Sequence, residues 1–109
     1  MADMLTLWGA INKDGSIRNS GGGFNVTKQG NGQYVISFRT LFNDVPAIVG
    51  SQTNYGDLGE ANTDGVVFPI VDRGSATAIT GDGGGKHQDR SFSFIAIGIA
   101  DRPNPSFKE

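Results

Sequence analysis

The sequence predicts an all-β protein, an antiparallel β-sandwich of jelly-roll type with about seven or eight strands. Three observations lead there. Short runs alternate apolar and polar residues, or are apolar throughout, and none keeps the three-to-four spacing of an amphipathic helix over a helical length. The 17 glycines fall in clusters that punctuate those runs, without the three-residue period of collagen. The 109 residues suffice for one core and not two. Residues 1–100 are therefore read as one sandwich domain and residues 101–109 as a proline-containing tail.

The first strand, residues 5–12, sets Leu5, Leu7 and Ile11 on one face and Trp8 and Ala10 on the other. It ends at Lys13-Asp14-Gly15-Ser16, where Asp-Gly supplies the positive φ that a tight hairpin turn requires. Residues 24–28 alternate from Phe24, and after the turn Gly30-Asn31-Gly32 the strand 34–39 places Tyr34, Ile36 and Phe38 on one face. Together they read as a hairpin. The bend Phe42-Asn43-Asp44-Val45 leads to a strand at 46–51, opened by Pro46 where a missing N–H does least damage. Residues 52–65 form a long polar loop, and loops of that length in compact domains tend to be functional or mobile. Strands at 66–72 and 76–80 are joined at Asp72-Arg73-Gly74-Ser75, and a second polar loop, residues 81–90, leads to the closing strand 91–99. The tail holds two prolines, so it cannot pair as a central strand and reads as a surface extension.

The closing strand carries Phe92, Phe94 and Ala96 on one face and Ile95, Ile97 and Ile99 on the other. Val66, Phe68 and Ile70 set against Val67 and Val71 repeat this two-sided pattern. A sandwich strand usually shows one apolar and one polar face, so these predict the domain core on one side and a subunit interface on the other. A chain this small also has a thin stability margin alone. The expected state is a homotrimer; the alternative is a locally overhung core.

Composition narrows the chemistry. There is no cysteine, which removes disulfides, thiolate metal sites and thiol nucleophiles. A net charge of −2, with both signs spread along the chain, leaves no footprint for nucleic acid. No apolar stretch approaches the roughly 20 residues of a membrane span, so a soluble chain without membrane insertion is expected. A catalytic triad needs a base in reach of a nucleophile and an orienting group; the lone histidine, His87, sits in a glycine-rich loop, and the sequence has no Gly-x-Ser-x-Gly elbow. Gly83-Gly84-Gly85-Lys86-His87 lacks the upstream glycine of a phosphate loop and ends in His where Ser or Thr must reach magnesium. Zinc would need three copies of His87 around a trimer axis, and Asp57, Glu60 and Asp64 match no calcium-loop spacing. No cofactor, no metal and no enzymatic activity are expected.

The stretch Val35-Ile36-Ser37-Phe38-x-x-x-Phe42-x-x-x-Pro46-Ala47-Ile48-Val49, followed by a polar loop, an apolar strand, a loop and Phe92-Ser93-Phe94-Ile95-Ala96-Ile97-Gly98, resembles the layout of H-type lectins over residues 34–99. The resemblance implies a trimeric antiparallel sandwich that binds sugars at its subunit boundaries. The segment from Asp14-Gly15-Ser16-Ile17 through Gly22-Gly23-Phe24-Asn25-Val26-Thr27-Lys28 to Tyr34 also resembles receptor-binding and tail-fibre tip modules of bacteria and phages. Those are similar in shape to the trimeric heads of complement-collagen type, which implies an extracellular or virion-associated setting. The lectin pocket draws on aromatic, histidine and arginine side chains of the last two loops. Here His87, Asp89 and Arg90 stand in the matching loop, and the one loop tyrosine, Tyr55, stands in the other.

In a sandwich the connections cluster at the ends of the sheets, so loops 52–65 and 81–90 are expected to share one cleft. The candidate ligand-binding residues are Asn54, Tyr55, Asp57, His87, Asp89 and Arg90, and their mixture of donors, acceptors and one ring suits a neutral polyhydroxyl ligand. Trp8 reads as a core or interface filler. The expected function is a trimeric head that binds a glycan or a cell-surface receptor; the alternative is a purely structural cap of a fibre or particle.

Overall fold

The computed structural model describes residues 3–56, 58 and 62–107. Nine strands and no helix occur among them: β1 (Asp3–Ile11), β2 (Ile17–Ser20), β3 (Phe24–Gly30), β4 (Gln33–Phe38), β5 (Thr40–Phe42), β6 (Ala47–Gln52), β7 (Gly65–Val71), β8 (Ser75–Gly81) and β9 (Phe92–Pro103). They form two antiparallel sheets. One runs β2-β1-β9, with β6 and β5 pairing successive stretches of the far side of β9; the other runs β3-β4-β8-β7. Among the described residues no helix is long and apolar enough to cross a membrane.

The sheets share one core in a sandwich-like arrangement. Leu7 and Ile11 of β1, Phe42 of β5 and Phe92, Phe94 and Ala96 of β9 meet Phe24 of β3, Tyr34, Ile36 and Phe38 of β4, and Ala76 and Ala78 of β8. Three aromatic pairs bridge the gap between the sheets: Tyr34–Phe92 at 5.2 Å, Phe24–Phe94 at 5.0 Å and Phe38–Phe42 at 5.3 Å between ring centroids. The latter two meet edge to face, which matches the positive rim of one ring to the negative face of the other. Room for the Phe24 ring comes from Gly9 on β1, where an added β-carbon would collide with it.

Alternation sets which face each strand buries. Tyr34, Ile36 and Phe38 are fully buried, as the period-two pattern requires, and Phe92, Phe94 and Ala96 face inward while Ile95, Ile97 and Ile99 face out. The pattern fails in β7. Register shifts between Val67, opposite Ile79, and Ile70, opposite Thr77, so Phe68 and Pro69 together stand against one partner. This bulge turns Ile70 outward and brings Val71 against the core, against the expected grouping of Val66, Phe68 and Ile70 on one face. Pro69 lies on an edge strand, where the absent N–H breaks no central ladder.

Two further differences concern short or proline-bearing segments. β2 and β5 are paired strands where the sequence predicts none. The start of the expected tail continues β9: Arg102 and Pro103 pair with Leu41 and Thr40. Proline is accommodated there at the strand end. Asn104 then closes the corner, donating its amide to the Phe38 and Gly74 carbonyls at 2.8 and 3.1 Å, and Phe107 is half-buried with the Arg39 guanidinium 5.6 Å from its ring.

The outer face of the β1–β9–β6 layer is apolar. Met4 lies opposite Ile99, Trp8 opposite Ile95, and Val49 opposite Ile95 on the other side. These side chains with Ile97 form one continuous patch, from 37% exposed at Ile97 to 70% at Met4. Trp8 thus lies on the surface, against Gly21, and does not fill the core.

Truncating a bridging ring should cost far more than trimming the outer face of the same layer. Phe94→Ala should lower unfolding free energy by about 3–5 kcal/mol, and Thr6→Ala, on the exposed face of β1, by less than about 0.5 kcal/mol. Equal urea midpoint shifts would contradict the facial assignment.

Candidate functional site

An open cleft of about 490 Å³ lies at the end of the sheets where β1 stops and β9 begins. Its lining comes from three connections. The β1–β2 hairpin contributes Asn12, Lys13, Asp14 and, on β2, Arg18; the loop after β6 contributes Asn54 and Tyr55; the loop before β9 contributes Asp89, Arg90 and Ser91.

Local geometry fixes each connection. In the hairpin, Asp14 Oδ1 accepts the Ser16 backbone N–H at 2.9 Å and its hydroxyl at 2.6 Å, and Gly15 takes φ +92°, the conformation that Asp-Gly supplies at little cost. These bonds hold the exposed Asp14 carboxyl below its ordinary pKa. Between β8 and β9, Asp82 Oδ1 accepts from Gly84 and Lys86 N–H groups, folding the glycine run into a compact turn. That loop is then tied to the β3–β4 turn. Thr80 donates its hydroxyl to the Gln88 carbonyl at 2.6 Å, and Asp89 Oδ1 accepts the Gly32 N–H at 2.7 Å while Lys28 Nζ stands 3.1 Å away. The Gly32 bond and the Lys28 ammonium hold the Asp89 carboxyl below its ordinary value.

Gly32 itself is required. Its φ is +68°, and an added β-carbon would lie 2.5 Å from the Thr80 carbonyl oxygen and 2.8 Å from the Gln88 backbone. No side chain fits.

The two polar loops lie side by side. Thr53 N–H donates to the Ser91 carbonyl at 3.1 Å, Thr63 packs beside Gly83, and Arg90 Nε faces Asp64 Oδ2 at 3.8 Å. Gln52 clamps the base, donating its amide to the Gly65 and Gly81 carbonyls at 2.8 and 2.7 Å.

One buried side chain supports the cleft floor. The Tyr34 hydroxyl donates to the Lys13 carbonyl at 2.7 Å and lies 3.5 Å from the Arg90 carbonyl, so a core ring grips both the hairpin and the last loop. Burial, and then the nearby Asp89 carboxylate, pushes its pKa above the ordinary 10.0.

Of the residues singled out from sequence, the cleft brings together Asn54, Tyr55, Asp89 and Arg90. His87 does not line it. That residue is exposed, its backbone bridges to Gly81, and its carbonyl accepts the Asn31 amide at 2.8 Å, so its loop role is in the backbone. Asp57 and Glu60 lie outside the described residues. Asp89 and Arg90 are also half-buried and bonded to neighbouring turns, unlike freely exposed loop positions.

Asn12, Lys13, Asp14 and Arg18 were missed, because they come from a hairpin far away in sequence. The signal was available: Asp-Gly ends the first strand, and pairing that strand with the closing one puts the turn beside residue 91. Arg18 changes the aromatic platform as well, since its guanidinium carbon sits 4.1 Å from the Tyr55 ring centroid. Among the described residues no cluster of three or more His, Asp or Glu could hold a metal ion. No protein-family model, curated protein or solved structure matches the chain.

Tyr34→Phe removes the hydroxyl and strands the Lys13 carbonyl. The variant should lose about 1–2 kcal/mol of unfolding free energy at neutral pH. Because the folded pKa is raised, the native contribution of the phenol is complete below pH 10.0 and is lost as pH rises through the folded value. Urea unfolding at several pH values should therefore show a constant gap between wild type and variant below about pH 9.5, narrowing in more alkaline solution. A gap that widens above that point would contradict the assignment.

Proposed function

We propose that this chain is a binding head of jelly-roll type that acts as a homotrimer and recognises a glycan on a cell surface or receptor. The cleft carries the reading. It joins an exposed tyrosine ring, two asparagine side chains, a serine and charged donors on preformed turns, a combination that matches a sugar's apolar C–H face and hydroxyl edges. A site already held by backbone bonds needs little ordering when a ligand arrives.

The outer face of the β1–β9–β6 layer supports self-association. Its exposed apolar side chains, Met4, Trp8, Val49, Ile95, Ile97 and Ile99, lie together on one sheet face, as apolar surfaces that mark association do, and the occupant that fits is another copy of the chain. Burying that face would also relieve the thin margin of a small core. The same patch favours the second reading, in which the chain serves only to trimerise and cap a fibre or particle.

Two experiments test these readings. A glycan array probed with the intact oligomer should give saturable binding that Tyr55→Ala abolishes; an array with no binder leaves the structural cap. Light scattering after gel filtration should give a trimer mass for wild type and a monomer mass for Ile97→Lys, since a charge in an apolar interface is costly. A wild type that stays monomeric at about 10 μM would remove the trimer, given that such an association would dissociate with Kd well above 1 μM.

A further inference from the structure

We infer that the cleft selects an acidic sugar, with Arg18 and Lys13 holding the ligand's carboxylate; the inference rests on the glycan-binding reading above. The neutral polyhydroxyl ligand expected from the two polar loops left these cations out of account, because both arrive from the β1–β2 hairpin.

Among the described residues the cleft lining holds three cationic side chains, Lys13, Arg18 and Arg90, against two carboxylates, Asp14 and Asp89. Its charges differ in how far they are already committed. Asp14 is engaged by the Ser16 amide and hydroxyl, and Asp89 by the Gly32 amide and the Lys28 ammonium. Arg90 faces Asp64, whose side chain is only 3% exposed. The side-chain heads of Lys13 and Arg18, by contrast, make no hydrogen bond or ion pair among the described residues; the Arg18 guanidinium lies over the Tyr55 ring, and the Lys13 ammonium acts on Asp89 only electrostatically, without pairing with it. Among the described residues the carboxylates are thus engaged from within the fold, and the cationic heads left without an ion pair are these two.

Their positions suit an incoming anion. The Lys13 backbone is pinned by the buried Tyr34 hydroxyl, and its turn is closed by Asp14, so the ammonium springs from a fixed point at the cleft wall. Arg18, over Tyr55, keeps a planar fork of donors for a carboxylate while its face is occupied by the ring. A sugar ring against the remaining exposed part of Tyr55 would bring a ring-borne carboxylate to that fork, with Asn54 and Asn12 left to read hydroxyl or amide groups. A neutral sugar would leave both cations unmatched.

The test compares one ligand with and without its charge. Isothermal titration of the intact oligomer uses a sialic-acid-terminated trisaccharide and a uronic-acid oligosaccharide, each alongside its methyl ester, which keeps the hydroxyls and removes the anion. At least one acid should bind about tenfold or more tighter than its ester, with the preference shrinking between about 50 and 500 mM salt as the charges are screened. Arg18→Ala should bring the acid-to-ester ratio close to one, Lys13→Ala should reduce it, and Arg18→Lys should restore part of it. Unchanged far-ultraviolet circular dichroism and oligomer mass establish that each variant is folded. Where Arg18→Ala does not fold, the acid-to-ester ratio of the wild type and its salt dependence decide by themselves. Esters or neutral sugars that bind as tightly as the acids overturn the inference and leave the glycan reading intact. Failure of acids, esters and every neutral glycan to bind overturns both.

Discussion

The core and the cleft meet in one side chain. Tyr34 has its ring fully buried against Phe92 of the opposite sheet and its hydroxyl on the Lys13 carbonyl at the cleft floor. A buried phenol without a partner would be costly, so the hairpin turn must stand where it stands for the core to close. The dependence also runs the other way. A slip of β4 by one residue against β3 and β8 would turn Tyr34, Ile36 and Phe38 outward together and release the hairpin from the core. Sheet register and cleft geometry are therefore one constraint.

The second constraint is steric. The β3–β4 turn approaches the last loop so closely that only glycine can stand at residue 32, and its amide is what Asp89 accepts. An acidic residue that looks like a ligand contact in the sequence is thus also a structural acceptor, paired with Lys28. This dual use explains why Asp89 is engaged from within the fold, while the heads of Lys13 and Arg18 make no ion pair among the described residues. Charge in the site is set by which turns the core pulls together, more than by the composition of any one loop.

The alternating strands were legible because each buries one face in a common core, and Tyr34-x-Ile36-x-Phe38 and Phe92-x-Phe94-x-Ala96 carry that pattern without interruption. β2 was not legible. Ile17-Arg18-Asn19-Ser20 is a short edge strand with almost no buried side chain, so its pairing with β1 leaves no hydrophobic period to read. β5 has three residues and depends on β9 continuing through Pro103, against the usual exclusion of proline from strands. The β7 bulge is a third kind of failure: Phe68-Pro69 shifts the register by one, and period-two counting cannot see a shift that the partner strand imposes. In the site, loop length and an exposed tyrosine located the two polar connections. The hairpin residues remained hidden because their proximity follows from β1 lying beside β9, a contact between opposite ends of the chain.

That same pairing gives the molecule a direction. Ile11 faces Phe92 at the cleft end, and Asp3 faces Ala100 near the other, in a body about 47 Å long and 22–23 Å across. The first described residue of β1 and the residues that follow Ala100 therefore sit together at the pole away from the cleft. Immobilised through either region, on a sensor chip or a bead, the protein would hold its cleft away from the support and facing the solution, and closely spaced copies would present their clefts side by side.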